Sequence, residues 1–168
     1  MLARMATHRY ALRTALSVLV VAAVTAGLLA HASTARRPAP ALPTRTLSGA
    51  PTTLADLRGH PAVVLFWASW CDACHTEASA VERFARSPAG RGRVVAIDYS
   101  DGGDWRAFLR KYRWSIPVLA DANGRVGDAF QVHFLPTAVF LDPRGRIASR
   151  SETPQTAASL ASGLSAAA

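Results

Sequence analysis

An α/β domain with a mixed central sheet covered by helices on both faces is predicted by three features of the 168-residue sequence. Short apolar runs without alternation mark strands buried on both sides. Segments with apolar residues at helical spacing fall between them. Near the C-terminus two strands flank a four-residue turn, which requires an antiparallel pair. Half of the residues are apolar and 18% are charged, a ratio that excludes disorder. A chain of this length makes one domain with an appendage rather than two domains.

The appendage comes first. Arg4, Arg9 and Arg13 precede a stretch from Thr14 to Ala35 that lacks Asp, Glu, Lys and Arg, of which Leu16 to Ala30 is strongly apolar. At about 1.5 Å per residue this run just permits a signal anchor across a bilayer of about 30 Å. Ala30-His31-Ala32 equally supplies the small residues that a signal peptidase reads. Residues 1–35 are therefore expected to be a signal peptide or a signal anchor. No cysteine follows the run, which excludes a lipid anchor, and Arg36-Arg37 lies behind it, whereas a twin-arginine signal would precede it. Residues 36–43, with three prolines, are expected to form a semi-rigid linker, and residues 44–168 the domain. Its expected location is extracytoplasmic, membrane-anchored or secreted, where thiols meet oxidants.

Within the domain, Ala62 to Ala68 (AVVLFWA) is a β-branched and aromatic run bounded by Pro61 and Ser69, which predicts a buried strand. A helix is predicted over Cys71 to Arg86, with Ala78, Val81, Phe84 and Ala85 on its apolar face and Pro88 and Gly90 ending it. There follow a strand Arg93 to Tyr99, a helix Asp104 to Tyr112, a short strand near Val118 and a strand Thr137 to Leu141. The turn Asp142-Pro143-Arg144-Gly145 leads to a strand Ile147 to Arg150, and a last helix runs from Pro154 to Leu164 with Thr153 as its N-cap. Trp67 is expected in the core, Trp70 at the surface beside Cys71, and Trp105 and Trp114 in helix-face packing.

The net charge is +8, and without the three arginines of residues 1–35 it is +5, from 16 basic and 11 acidic residues. The basic residues are scattered. The one cluster, Arg106, Arg110, Lys111 and Arg113, shares a helix with Trp105, Phe108, Leu109 and Tyr112, which reads as a solvated face opposite a buried one. No nucleic-acid partner is expected.

The chemistry lies at Trp70-Cys71-Asp72-Ala73-Cys74, between the buried strand and the helix. Two cysteines this close cannot staple a fold. At a helix N-terminus, however, unpaired N–H groups and the positive end of the dipole favour a thiolate at the first position, with the second one turn on. Cys71 is therefore expected to attack and Cys74 to resolve. Lowering a thiol from a pKa of ~8.5 to ~7 raises its thiolate fraction at neutral pH from ~3% to ~50%. The gain in attack is smaller, because nucleophilicity falls with basicity; the larger effect is on leaving ability and redox potential.

The runs Leu57-Arg58-Gly59-His60-Pro61, Val64-Leu65-Phe66-Trp67-Ala68-Ser69-Trp70-Cys71, Ile116-Pro117-Val118-Leu119-Ala120-Asp121 and Leu135-Pro136-Thr137 resemble the TlpA/ResA-like branch of the thioredoxin-fold thiol-disulfide oxidoreductases. The resemblance covers about residues 44–165 and implies a thioredoxin-like fold. It also implies that Pro136 is a cis-proline facing the dithiol, that Leu135 presents its backbone to a bound substrate strand, and that Glu77 assists proton transfer. Trp70 is expected to contact substrate. The implied partners are cysteine-containing exported proteins and a membrane electron-transfer partner; no cofactor and no metal are implied.

Several positions depart from the family pattern. Leu65 stands where many thioredoxins bury an Asp, so Glu77 or water must accept the proton; Ser79 replaces a common helix-kinking Pro. No Pro lies between the cysteines, and Asp72 sets a negative charge beside Cys71 that opposes the dipole, which favours a reductant over a strong oxidant. The residues around Pro136 lack the Gly and Glu of the cytochrome-maturation subgroup.

Two other readings use the same residues. Cys71-Asp72-Ala73-Cys74-His75 has the C-x-x-C-H spacing of c-type haem attachment, but both Met1 and Met5 precede the export segment, leaving only His60 or His133 as a distal ligand. The two thiols with His75 or His133 would alternatively suit Cu(I), as in a metallochaperone-type domain.

Overall fold

A computed structural model describes residues 36–168. The expected signal segment, residues 1–35, lies outside the described residues. Among the described residues no helix is long and apolar enough to cross a membrane.

Six strands form one sheet: β1 (Thr46–Ser48), β2 (Ala62–Trp67), β3 (Val94–Tyr99), β4 (Val118–Asp121), β5 (Thr137–Leu141) and β6 (Ile147–Ser151). Their spatial order is β1-β4-β3-β2-β5-β6. β2, β3 and β4 run parallel, while β1, β5 and β6 are antiparallel to their neighbours. This is the thioredoxin-like mixed sheet. Every residue of β2 is buried, because the sheet is covered on both faces where β2 lies in its middle. The strand pleat divides it: Val63, Leu65 and Trp67 enter one core and Val64 and Phe66 the other.

Three helices cover the first face: α1 (Asp72–Arg86), α2 (Trp105–Tyr112) and the C-terminal α4 (Ala157–Ala167), which contribute Ala78, Val81 and Phe84, then Phe108 and Leu109, then Leu160 and Leu164. The second face is covered by less regular chain. The short helix α3 (Arg125–Ala129), the following Phe130 and Val132, and Leu42 and Leu57 pack there on Ile97 and Leu119. Neither β1 nor α3 was expected from the sequence. Three residues of strand are too few to show alternation, and α3 begins at Gly124, a turn residue at φ 72°.

The last helix also begins later than expected. Thr156, not Thr153, is the N-cap, in a capping box with Ser159. Pro154 and Gln155 precede the helix because Gln155 is held elsewhere: its N–H donates to Glu77 and its side-chain amide to Ser151 and Thr153. Residues 36–43 are laid against the edge of the sheet, with Ile147 N–H donating to the Arg37 carbonyl and Ala39 N–H to the Gly145 carbonyl. Trp114 lies beyond the C-cap of α2 and is buried, its indole N–H donating to the Ala78 carbonyl at 2.9 Å, so it ties α2 to α1. Trp105 is half-buried beneath the Arg106 guanidinium.

Gly90 closes the end of α1 so tightly that a Cβ there would collide with the Phe84 carbonyl, whereas a Cβ at Gly102 meets open space. Gly90→Ala is expected to cost about 1–3 kcal/mol through forced backbone displacement, and Gly102→Ala less than about 0.5 kcal/mol. Urea midpoints of the two variants measured side by side check this; equal midpoints would contradict it.

Candidate functional site

β2 delivers the chain into α1 through Ala68, Ser69 and Trp70. Cys71 N–H donates to the Ala68 carbonyl, turning the chain, and Cys71 then serves as the N-cap of α1 in extended backbone geometry. Its side chain takes the place of the usual cap oxygen: Sγ accepts from Cys74 N–H at 3.1 Å. Cys71 and Cys74 are joined in a disulfide with Cα atoms 5.2 Å apart. The Cys71 sulfur thus meets both the orphan N–H groups and the positive end of the dipole, which favour negative charge there. Cys71 is 6% exposed and Cys74 1%, so an incoming sulfur reaches Cys71 first.

The disulfide opens onto a depression of about 410 Å³ lined by Trp70, Cys71, Asp72, Ala73, Tyr99, His133, Phe134 and Leu135. Trp70 and Phe134, 59% and 65% exposed, form its apolar rims. The expected Trp70 and Leu135 are therefore beside Cys71. The Leu135–Pro136 peptide is cis, and Pro136 itself is buried. Phe134 was missed; its signal was an aromatic residue in a polar loop just before Leu-Pro. Its carbonyl accepts from Thr137 Oγ1 at 2.7 Å, which fixes the turn that presents it.

Glu77, one turn beyond Cys74, is buried rather than solvated. One carboxyl oxygen accepts from Gln155 N–H at 2.6 Å and the other is buried without a partner. Burial pushes its pKa up to about 8, against a weaker downward pull from the Gln155 bond. Another buried acid with a raised pKa was not anticipated. Asp98 lies in β3 opposite Trp67, and the pleat sets it on the face of Val94 and Ala96, the face that α1 covers. Its signal was a lone acid in an otherwise apolar strand. Burial first, and then the neighbouring Asp101, push Asp98 up to about 8, with Arg45 opposing.

Asp101 behaves oppositely. Burial alone would raise it, but donors from Ser69 N–H, Gly103 N–H and Ser69 Oγ, together with Asp98, hold it below the usual carboxylate range. The proton of the pair therefore resides on Asp98, and the charge of Asp101 is spent on Ser69, two residues before Cys71: Ser69 N–H donates at 2.6 Å and Ser69 Oγ at 2.9 Å.

His75 faces α2. Its Nε2 lies 3.0 Å from the Ser69 carbonyl and its Nδ1 2.9 Å from Tyr112 Oη, so both nitrogens are engaged. His133 lines the depression. Among the described residues no group of three or more His, Cys, Asp or Glu side chains is arranged to hold a metal ion.

The model of the AhpC/TSA family matches residues 35–150. Thioredoxin-like protein YneN of Bacillus subtilis is 34% identical over 113 residues, 65% of this chain and 66% of that protein. Soluble secreted antigen MPT53 of Mycobacterium tuberculosis is 36% identical over 95 residues, 56% of this chain and 55% of that protein. The chain thus spans between about half and two thirds of the length of these curated relatives. Among solved structures, a secreted Mycobacterium tuberculosis disulfide oxidoreductase homologous to Escherichia coli DsbE is 30% identical, with a TM-score of 0.61 over 74% of this chain and 95% of that one.

The two buried acids whose pKa is raised, Glu77 and Asp98, make stability depend on pH. In the unfolded chain they titrate near 4 and in the folded protein near 8. Below about pH 4 both states hold the protons; between about 4 and 8 only the unfolded state loses them, so stability falls as pH rises and levels off above about 8. Glu77→Gln and Asp98→Asn should each flatten the fall of melting temperature between pH 5 and 8, and exceed wild type at pH 8. Variants that track wild type across this range would contradict the assignment.

Proposed function

The chain belongs to the AhpC/TSA family, as a thioredoxin-fold protein of the TlpA/ResA/DsbE-like thiol-disulfide oxidoreductases, and from that premise we propose that it exchanges electrons with the cysteine pairs of exported proteins. The observation that carries this reading is the Cys71 sulfur capping α1 with the Cys74 sulfur as its redox partner. In the reducing direction the Cys71 thiolate attacks a substrate disulfide, forming a mixed disulfide and expelling one substrate thiolate. Cys74 gives its proton to Glu77 and attacks Cys71 Sγ, releasing the second substrate thiolate and leaving the Cys71–Cys74 disulfide. Glu77 suits the role of proton acceptor: it lies one turn from Cys74 and has one carboxyl oxygen without a partner.

The substrate strand lies along Leu135 beside Pro136, with an apolar side chain next to its cysteine held between Trp70 and Phe134. Asp72 disfavours the thiolate and favours a reductant recharged by a membrane electron-transfer partner. Residues 1–35 act as signal peptide or anchor, residues 36–43 lead from it, and residues 44–168 work extracytoplasmically; the secreted relatives support that location. The dithiol is favoured over Cu(I) or haem by His75, whose ring nitrogens are both engaged away from the sulfurs.

Cys71→Ser should abolish disulfide reduction by the purified protein, and Cys74→Ala should accumulate a mixed disulfide on Cys71; activity in the first variant would refute the nucleophile. Glu77→Gln should slow substrate release by ~100-fold and change its pH profile. Trp70→Ala and Phe134→Ala should raise KM several-fold with kcat nearly unchanged. A reduction potential near the ~−120 mV of strongly oxidising enzymes would overturn the reducing direction.

A further inference from the structure

Ser69 is the hinge between the buried strand and the exposed Trp70, and all its polar groups are tied down. Its N–H and Oγ go to Asp101 in the loop after β3, and its carbonyl faces His75 Nε2 in the first turn of α1. A carbonyl only accepts, so Nε2 carries a proton toward Ser69, and Nδ1 faces Tyr112 Oη at 2.9 Å. The ring itself is clasped, with its centroid 4.8 Å from that of Phe108 and 5.6 Å from that of Tyr112, and Phe108 in turn packs on Trp67 at 4.3 Å. The same chain segment is thus held from two sides by the β3–α2 unit.

We propose that His75 is a positioning residue for the dithiol exchange: by donating from Nε2 to the Ser69 carbonyl, it keeps the Cys71 sulfur at the N-cap of α1 once the disulfide has opened. The inference rests on the redox reading above. In the disulfide form Cys71 is tethered to Cys74 by a covalent bond, and the Ser69 contacts add little. In the dithiol form that tether is gone, and the Cys71 sulfur is kept on the Cys74 N–H by the bonds of the Cys71 carbonyl to the first turn of α1 and by the Ala68–Trp70 segment that leads into it. The contact therefore acts mainly on the reduced state. Losing it weakens thiolate stabilisation, which raises the thiol pKa of Cys71 and shifts the equilibrium toward the disulfide. The C-x-x-C-H spacing then has a use without haem: the residue after the second cysteine is the one whose ring reaches back over the first turn to Ser69.

The test uses the full-length protein. The pH midpoint of Cys71 alkylation and the equilibrium with glutathione are measured for wild type, His75→Leu, His75→Gln and Tyr112→Phe, with melting temperatures of both redox forms. Loss of one hydrogen bond should move the equilibrium about fivefold toward the disulfide in His75→Leu, about 20 mV for a two-electron couple, with a raised alkylation midpoint. His75→Gln, whose amide can donate in place of Nε2, should restore most of both. Tyr112→Phe, which removes the partner of Nδ1, should shift both in the same direction by about twofold, and it keeps the test available if His75→Leu does not fold. An unchanged or lowered midpoint, no rescue by Gln, or an equal drop in the melting temperatures of both redox forms without a change in potential would overturn the proposal. Wild-type protein that fails to exchange with glutathione would instead refute the redox reading itself.

Discussion

A sulfur in the place of a helix cap is the constraint around which the rest of the structure is arranged. A helix N-terminus presents N–H groups without intrahelical partners, and here the group set before them is Cys71 Sγ. For that contact to be stable the helix must start at a fixed point. It does so because β2 is buried along its whole length and the turn follows directly from it. The parallel strands on one side and the antiparallel β5 on the other hold β2 from both edges. α1 in turn is pinned along its length by α4 and by the Trp114 indole on the Ala78 carbonyl. The reactive turn is thus short and has few ways to move.

The acids beneath this turn follow a different logic. Glu77 and Asp98 are buried at a cost to the fold at neutral pH, since each must either stay protonated or place a charge in an apolar setting. Their environments differ, however. Each has a buried oxygen without a partner, but Glu77 accepts a backbone N–H from Gln155, whereas Asp98 neighbours Asp101, which is held below the usual carboxylate range by its bonds from Ser69 and Gly103. Both are pushed to a similar pKa of about 8, chiefly by burial.

The rims of the opening at the surface are apolar where they meet solvent. Trp70 and Phe134 come from segments 64 positions apart in the chain and stand as the two large exposed hydrophobic side chains among the described residues. This exposed aromatic pair flanks a nearly buried disulfide, and the exposed carboxylate of Asp72 lines the same depression. The rims and the sulfur pair are thus supplied by different elements: the rims by two loops, the sulfur pair by a strand end and a helix start.

Local chemistry determined much of this. The buried strand, the helix behind it and the placement of Cys71 and Cys74 at their junction follow from periodicity and residue type over fewer than about 20 positions, and periodicity is a local property. So does the C-terminal hairpin, set by Asp142-Pro143-Arg144-Gly145. Trp70 beside Cys71 was legible for the same reason, and Leu135-Pro136 through its likeness to the family. What local pattern did not supply was everything that depends on a partner far along the chain. Glu77 was expected to act near Cys74, but its burial was not legible, because it involves Gln155, 78 residues away. Nothing in the sequence marked Asp101, whose partner Ser69 lies 32 residues away. The start of α4 shifted from Thr153 to Thr156 because Gln155 is bound to Glu77 rather than to its own helix. Sequence determines torsional preference and the side on which an apolar residue falls; burial, and with it protonation and hydrogen-bond partnership, is decided only when remote segments exclude water from the same place.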